Sequence, residues 1–372
     1  MREYLLCLFA AAAVTYLMTP VVRALAIRVG AMTAIRERDV HKDPTPRWGG
    51  LAMFLGLSVA LLLASKLKMM SAVFDDTGAA TAIFVAALVI VVLGLLDDKF
   101  DIDAPTKFAG QALAAGWLAF KGVGFIWLPL GNATILDPMT SVLLTVLVVL
   151  VTINAVNFID GLDGLAAGVI GITALASFLY SYWLSVQFGL ERATLSTLLG
   201  ACLAGMTLGF LPHNFNPARI FMGDTGSMLL GLLLASSIIT LTGRVDPNAL
   251  EGTSLAPTLL PLLLPLAVIA LPLLDMILAI LRRVRRGQSP FTPDKEHLHH
   301  RLLQRGHSVR RAALLMYAWA GLVSFSAVSL TFLPLQSVAV LFLVGFAYLV
   351  YVMRKPDPSK PRGPRSESVM TP

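Results

Sequence analysis

Apolar residues along this chain fall into long unbroken runs, not into stripes recurring every three or four positions. About 20 apolar residues suffice to cross a bilayer as a helix, and eleven runs near that length are separated by polar or Gly/Pro-rich segments. They cover approximately 4–24, 49–66, 78–96, 107–124, 139–157, 162–184, 194–211, 223–242, 256–281, 312–332 and 335–353. The fourth is the weakest, because Lys107, Gln111, Lys121 and several glycines interrupt it. The first follows Arg2 but is too long for a signal-peptide core and lacks a small-residue cleavage site, so it reads as a retained span. The expected fold is all-α, a polytopic integral membrane bundle over 1–353 with about eleven transmembrane helices. The Pro-, Ser- and charge-rich tail, 354–372, is expected to be disordered.

Composition agrees with that pattern. Only 14 % of the 372 residues are charged and 56 % are apolar, whereas a soluble domain carries roughly a quarter charged residues. This excludes a multidomain soluble enzyme, a disordered chain and a disulfide scaffold. Cys7 and Cys202 both lie inside apolar runs, where a thiol behaves as a small hydrophobe.

An odd number of spans puts the termini on opposite sides, and 23 of the 29 Lys and Arg residues fall on the side of the odd loops and the C-terminus. By the positive-inside rule that side is cytoplasmic and the N-terminus is outside, as for a multi-pass protein of the plasma or inner membrane. The net charge of +7 then reflects topology and contact with anionic lipid or phosphate, not nucleic acid.

Five polar clusters fall on the expected cytoplasmic side: Arg36 to Gly50, Asp97 to Lys107, Asn154 to Gly164, His213 to Ser227, and Asp294 to His307. Their shared side argues for one composite site. In LLDDKFDIDAPTK, Asp97, Asp98, Asp101 and Asp103 follow an apolar run. Adjacent carboxylates repel unless a cation or proton lies between them, and oxygen-only clusters suit Mg²⁺ or Mn²⁺. The bland reading is a solvated acidic loop.

In INAVNFIDGLDGLAAG, Asn154, Asn157, Asp160 and Asp163 stand between two apolar runs with almost no loop. An Asp placed mid-membrane costs roughly 3 kcal/mol, so a broken helix at a cavity is the natural reading and a short capped hairpin the alternative. Asp224 begins a helix and is either an N-cap or a carboxylate placed to hold a metal that bridges a phosphate. The last cluster, with the four arginines between Arg282 and Arg286 just before it, holds His297, His299, His300 and Arg301, a setting that favours phosphate contact over zinc. Asp275, inside the ninth run, reads equally as an ion-pair partner or a site residue.

The clusters offer carboxylates, amides, histidines and arginines but no Walker loop, no GxGxxG and no Ser/His/Asp order. Metal-bridged phosphate chemistry fits best, with a lipid phosphate as one substrate and a soluble donor as the other. The motifs HKDPTPRWGG, LGLLDDKFDID, NAVNFIDGLDGLAAG, NPARIFMGDTGS and SPFTPDKEHLHHRL resemble those of the polyprenyl-phosphate N-acetylhexosamine-1-phosphate transferases. Within that family the chain is most similar to the WecA/TagO branch, because it has His297-Leu298-His299-His300-Arg301 where the MraY branch has three consecutive histidines.

The resemblance implies an Mg²⁺-dependent enzyme, with Mn²⁺ as a substitute, that moves N-acetylglucosamine-1-phosphate from UDP-GlcNAc to undecaprenyl or decaprenyl phosphate. It implies metal ligation by Asn157 and Asp224, and catalytic or phosphate-facing roles for Asp97, Asp98, Asp160, Lys107, His297, His299, His300 and Arg301. It implies a uridine pocket of Lys42, Gly161, Leu162, Asp163, Asn214 and Phe221. Thr33 and Ile35 replace the Asp and Pro of a D-x-P sequence found in many relatives, so no role is carried over for that first-loop acid.

The expected reaction is in-line attack of the acceptor phosphate on the β-phosphorus, releasing UMP. A phosphate monoester with a second pKa near 6 is largely dianionic at neutral pH, so no strong base is needed. The alternatives are a phospho-MurNAc-pentapeptide transferase, a transporter of a lipid or nucleotide sugar, and a UbiA-like prenyltransferase. Prenyl length, donor sugar and oligomeric state, a homodimer included, are not fixed by the motifs.

Overall fold

The computed structural model describes residues 1–32, 44–68, 70, 73–74, 78–130, 132–188, 193–242, 277, 281, 284–285, 302–303 and 306–355. Among the described residues the long helices are α1 (Arg2–Val29), α2 (Gly49–Ala64), α3 (Ala79–Phe100), α4 (Ala104–Phe120), α5 (Pro138–Ile159), α6 (Leu165–Phe188), α7 (Ala193–Asn214), α8 (Gly223–Thr242), α9 (Val309–Ser329) and α10 (Leu335–Arg354). Eight are long and apolar enough to cross a membrane; α2 and α4 fall short, with 16 and 17 residues. The chain is a polytopic helical membrane protein. Ten of the expected runs are helices, while the ninth, 256–281, apart from residues 277 and 281, and the tail beyond 355 lie outside the described residues.

One element was not expected from the apolar runs. Between α4 and α5, β1 (Trp127–Leu130) and β2 (Asn132–Ile135) form a two-stranded antiparallel hairpin with Trp127 opposite Ile135. At four residues each, the strands carry too little periodicity to be read beside the helical runs.

Local signals set several helix starts. Asp137 accepts from the N–H groups of Met139 and Thr140 at 3.1 Å with Pro138 behind it, and Asp103 accepts from Thr106 at 3.2 Å. Ser308 caps α9 through Arg311 N–H. These side chains satisfy N–H groups that a helix leaves without partners.

At the centre of the bundle stands α8, in which every residue from Thr225 to Thr242 is buried. It packs against α2, α3, α5 and α7. Two glycines bring neighbours against its first turn: a Cβ on Gly50 would lie 2.2 Å from the Gly226 nitrogen, and one on Gly94 would lie 2.4 Å from the Thr225 Cα. The outer helices α1 and α10 leave side chains such as Phe9, Leu17, Leu343 and Val344 exposed, as a lipid-facing surface requires.

Candidate functional site

Four helix ends meet at one end of the bundle: the last turns of α3 and α5 and the first turns of α4 and α8. From α3 come Asp97 and Asp98, both buried although charged. Such groups persist only when paired, and the two are paired in different ways.

Asp97 faces the Lys107 ammonium, 2.6 Å from its Oδ2, and its Oδ1 accepts from the Ile102 N–H at 3.1 Å. The same ammonium contacts Asp224 Oδ2. Lys107 therefore joins the end of α3 to the start of α8 across the first turn of α4.

Asp98 turns toward the backbone of α8. Its oxygens accept from the Asp224 N–H at 2.9 Å, the Thr225 N–H at 3.1 Å and the Thr225 hydroxyl at 2.6 Å. It is an N-cap supplied from another helix. The resemblance implied a catalytic role for Asp98; its described contacts are to Thr225 and to the backbone that carries Asp224.

Asn157, near the end of α5, donates to Ser227 Oγ at 2.9 Å and interacts with the Asp224 carboxylate. Just under one turn earlier, Asn154 donates to Gln111 Oε1 at 2.8 Å, and Gln111 donates to Met228 Sδ at 3.2 Å. Gln111, which weakened the fourth apolar run, thus ties α4 to α5 and α8 immediately below the acids. Its polarity inside an apolar run was the signal available in the sequence.

The chain then turns from Asp160 to Gly164 and leaves as α6. Because α5 packs mainly on α4 and α8, whereas α6 packs on α7 and α9, the two helices diverge after the turn and do not form a hairpin pair. Burial, with the nearby Asp224 and Asp98 charges adding to it, pushes the Asp160 carboxyl up to about 8.

Asp163 and Asn214 hold this turn against the loop before α8. Asp163 Oδ2 accepts from Asn216 Nδ2 at 2.8 Å and the Ala218 N–H at 3.0 Å. Asn214 accepts from the Gly164 N–H and donates to the Ile220 carbonyl, both at 3.0 Å. The backbone of Phe221 bridges to the start of α2, accepting from the Gly49 N–H and donating to the Pro46 carbonyl. From α9, the Tyr317 hydroxyl donates to the Gly164 carbonyl and Arg310 to the Asn216 carbonyl. Gly161 and Leu162 lie in the same turn.

The structure divides the first acidic cluster. Asp97 and Asp98 are buried in the site, whereas Asp103 is the exposed cap of α4 and Asp101 has a side chain 81 % exposed, 4.0 Å from Arg47. The Thr106 hydrogen bonds hold the Asp103 carboxyl below the usual carboxylate range. For these two acids the solvated-loop reading is the right one. Lys42, Asp275, His297, His299, His300 and Arg301, with Thr33 and Ile35, lie outside the described residues.

Among the described residues no three His, Cys, Asp or Glu side chains form a ready-made metal cage. Mg²⁺ usually takes one or two protein carboxylates and completes its shell with water and substrate phosphate. Asp224, beside Asn157 at a helix start, has the oxygen donors such an ion prefers.

The comparisons with known proteins converge on one family. The model of glycosyl transferase family 4 matches residues 80–242, a stretch that contains every site residue from Asp97 to Asp224. The chain is 46 % identical over 367 residues to the decaprenyl-phosphate N-acetylglucosaminephosphotransferase of Mycobacterium tuberculosis, covering 96 % of this chain and 91 % of that one. The chain belongs to glycosyl transferase family 4. Within the family it is also 46 % identical over 369 residues to the enzyme of the same name from Mycolicibacterium smegmatis, covering 98 % and 90 % of the two chains. A more distant member, the probable undecaprenyl-phosphate N-acetylglucosaminyl 1-phosphate transferase of Bacillus subtilis, is 38 % identical over 318 residues, 84 % of this chain and 81 % of that one. The resemblance read from the five motifs and these relatives agree on the WecA/TagO-like branch.

Proposed function

We propose that this protein transfers N-acetylglucosamine-1-phosphate from UDP-GlcNAc to a polyprenyl phosphate, giving polyprenyl-diphospho-N-acetylglucosamine and UMP, in an Mg²⁺-dependent reaction. The observation that carries the reading is the convergence of Asp97, Lys107, Asn157 and Asp224 from four helices at one end of the bundle. All the relatives named above are N-acetylglucosamine enzymes, which supports this donor over phospho-MurNAc-pentapeptide. The excess of Lys and Arg on the odd loops supports a cytoplasmic site in the plasma or inner membrane.

The chemistry asks mainly for positioning. An acceptor phosphate oxygen forms a bond to the β-phosphorus while the bond to the bridging oxygen breaks, and UMP leaves with that electron pair. The acceptor is already largely dianionic at neutral pH, so Asp97 is needed only for a residual proton.

Asp224 and the Asn157 amide oxygen are the groups that would hold Mg²⁺, which when bound neutralises charge on the diphosphate. Asp98 fixes the α8 start, so that Asp224 is aimed before substrate arrives and little reorganisation is left for the reaction. Lys107 is within reach of the same phosphates. Asp163 and Asn214 shape the loop on which a uridine would rest, with Lys42, His297, His299, His300 and Arg301 as further donors outside the described residues.

The test is UMP release by purified protein given UDP-GlcNAc, Mg²⁺ and decaprenyl or undecaprenyl phosphate. UMP is expected only when all three are present. Absence of UMP with every UDP-N-acetylhexosamine tried would overturn the reading.

A further inference from the structure

The Lys107 ammonium lies between two carboxylates from different helices, in contact with Asp97 Oδ2 at 2.6 Å and with Asp224 Oδ2. Asp98 adds a further carboxylate beside Asp224, and Arg47 supplies a cation near Asp160. Adjacent buried acids need a compensating cation, and in this arrangement the chain itself supplies one. The same Asp224 is the carboxylate best placed to ligate a divalent ion.

We propose that Lys107 is a resident counter-ion: it bridges Asp97 and Asp224 while no divalent cation is bound, competes with that cation for Asp224, and is released by its arrival. The inference rests on the metal reading above and goes beyond it, because a lysine that serves only to bind phosphate has no reason to respond to metal alone. Several observations make the exchange feasible. Lys107 sits in the first turn of α4, whose start is fixed independently by the Asp103 cap. Its side chain is 24 % exposed, so its head can turn outward. The four-carbon stem allows the ammonium to move without moving the helix. Once released, it faces the side on which a diphosphate must lie, so metal binding prepares the phosphate contact. Asp98 does not take part in the exchange, since its described bonds go to the α8 backbone and Thr225.

The full-length protein in detergent, without nucleotide or acceptor, is treated with a low dose of acetylating reagent with and without Mn²⁺. Acetylation at each lysine is read by mass spectrometry. A bridged ammonium is protected and a released one reacts, so Mn²⁺ is expected to raise the rate at Lys107 about fivefold or more while Lys99 stays unchanged. In parallel, Mn²⁺ binding is measured by the loss of the free-ion electron paramagnetic resonance signal, at about pH 8, where a shared proton competes least. Lys107→Gln is expected to bind Mn²⁺ about fivefold or more tightly than wild type, and Lys107→Arg, which keeps the charge, within about twofold of it.

If Mn²⁺ binds but neither the Lys107 acetylation rate nor the Lys107→Gln affinity changes, the counter-ion proposal is overturned and the metal reading stands. If Mn²⁺ binds to neither protein, both are overturned. The acetylation arm uses wild-type protein, so it decides the matter even where Lys107→Gln does not fold.

Discussion

Asp97 and Asp98 are neighbours in sequence with separate tasks, because successive residues of a helix point about 100° apart. One looks toward Lys107 and the space where chemistry is expected; the other looks into the first turn of α8. Asp160 is different again. An unfolded aspartate titrates near 4, whereas in the folded turn it is pushed up to about 8.

Between those values the native chain holds a proton that the unfolded chain has released, so stability falls as pH rises from about 4 to about 8, and the loss is complete above that. Asp160→Asn removes the titration. In metal-free buffer with a chelator, the variant's Tm relative to wild type is therefore expected to increase between about pH 5.5 and about pH 8. A Tm difference that is flat with pH, or that shrinks, would show that Asp160 keeps its charge throughout. In the sequence, Asp97 and Asp98 stand apart from Asp101 and Asp103 only by their place at the edge of the apolar run and by the resemblance. What separates Asp97 and Asp98 from Asp101 and Asp103 is whether the helix still runs at their position, and Asp101 terminates it in the left-handed region with φ 49°.

At the scale of elements, the site depends on how closely α2 and α3 approach the start of α8. Gly94→Ala would drive a methyl to 2.4 Å from the Thr225 Cα, a backbone atom that cannot step aside. It is expected to destabilise by about 1–3 kcal/mol, as overpacking does, and to weaken activity by shifting Asp98 off its cap. Gly116→Ala is the control: nothing lies within 4 Å of the added atom. In α4 it is expected to be neutral or to stabilise by up to about 1 kcal/mol, through helix propensity. Thermal unfolding of the two variants in one detergent compares them directly, and equal effects would remove the close-approach argument.

The helices themselves were legible because a long apolar run has few alternatives in a membrane. The partners of each polar residue were not. That Asp98 would cap α8, 126 positions away, or that Gln111 would meet Asn154 across α4 and α5, depends on which helices touch. Periodicity within one segment carries no such information. Asp103 and Asp137, by contrast, precede Ala-Pro and Pro directly, a local signature of a helix start that can be read without knowing the fold.

For the whole molecule, the sidedness of the charges becomes a geometric statement. The described parts of the polar clusters gather at the end of the bundle where α3 and α5 finish and α4 and α8 begin, and the hairpin lies between the opposite ends of α4 and α5. A cysteine at the exposed Asp101 and one at the exposed Ile135 are therefore expected to label from opposite sides of a sealed vesicle. Asp101→Cys should react only in inside-out vesicles and Ile135→Cys only in right-side-out ones, a pattern whose reversal would invert the proposed orientation. Cys7 and Cys202 are fully buried, so background labelling should be low.

The burial of α8 has one more consequence. Since it touches protein on every side, the bilayer acts on it only through its neighbours, while α1 and α10 meet the lipid directly. Of the four helices that carry the site, α8 is the one shielded in this way, since α3, α4 and α5 keep Val92, Leu113 and Leu147 exposed; a change of bilayer thickness therefore reaches the site through those three, with Asp224 on the helix that the lipid does not touch.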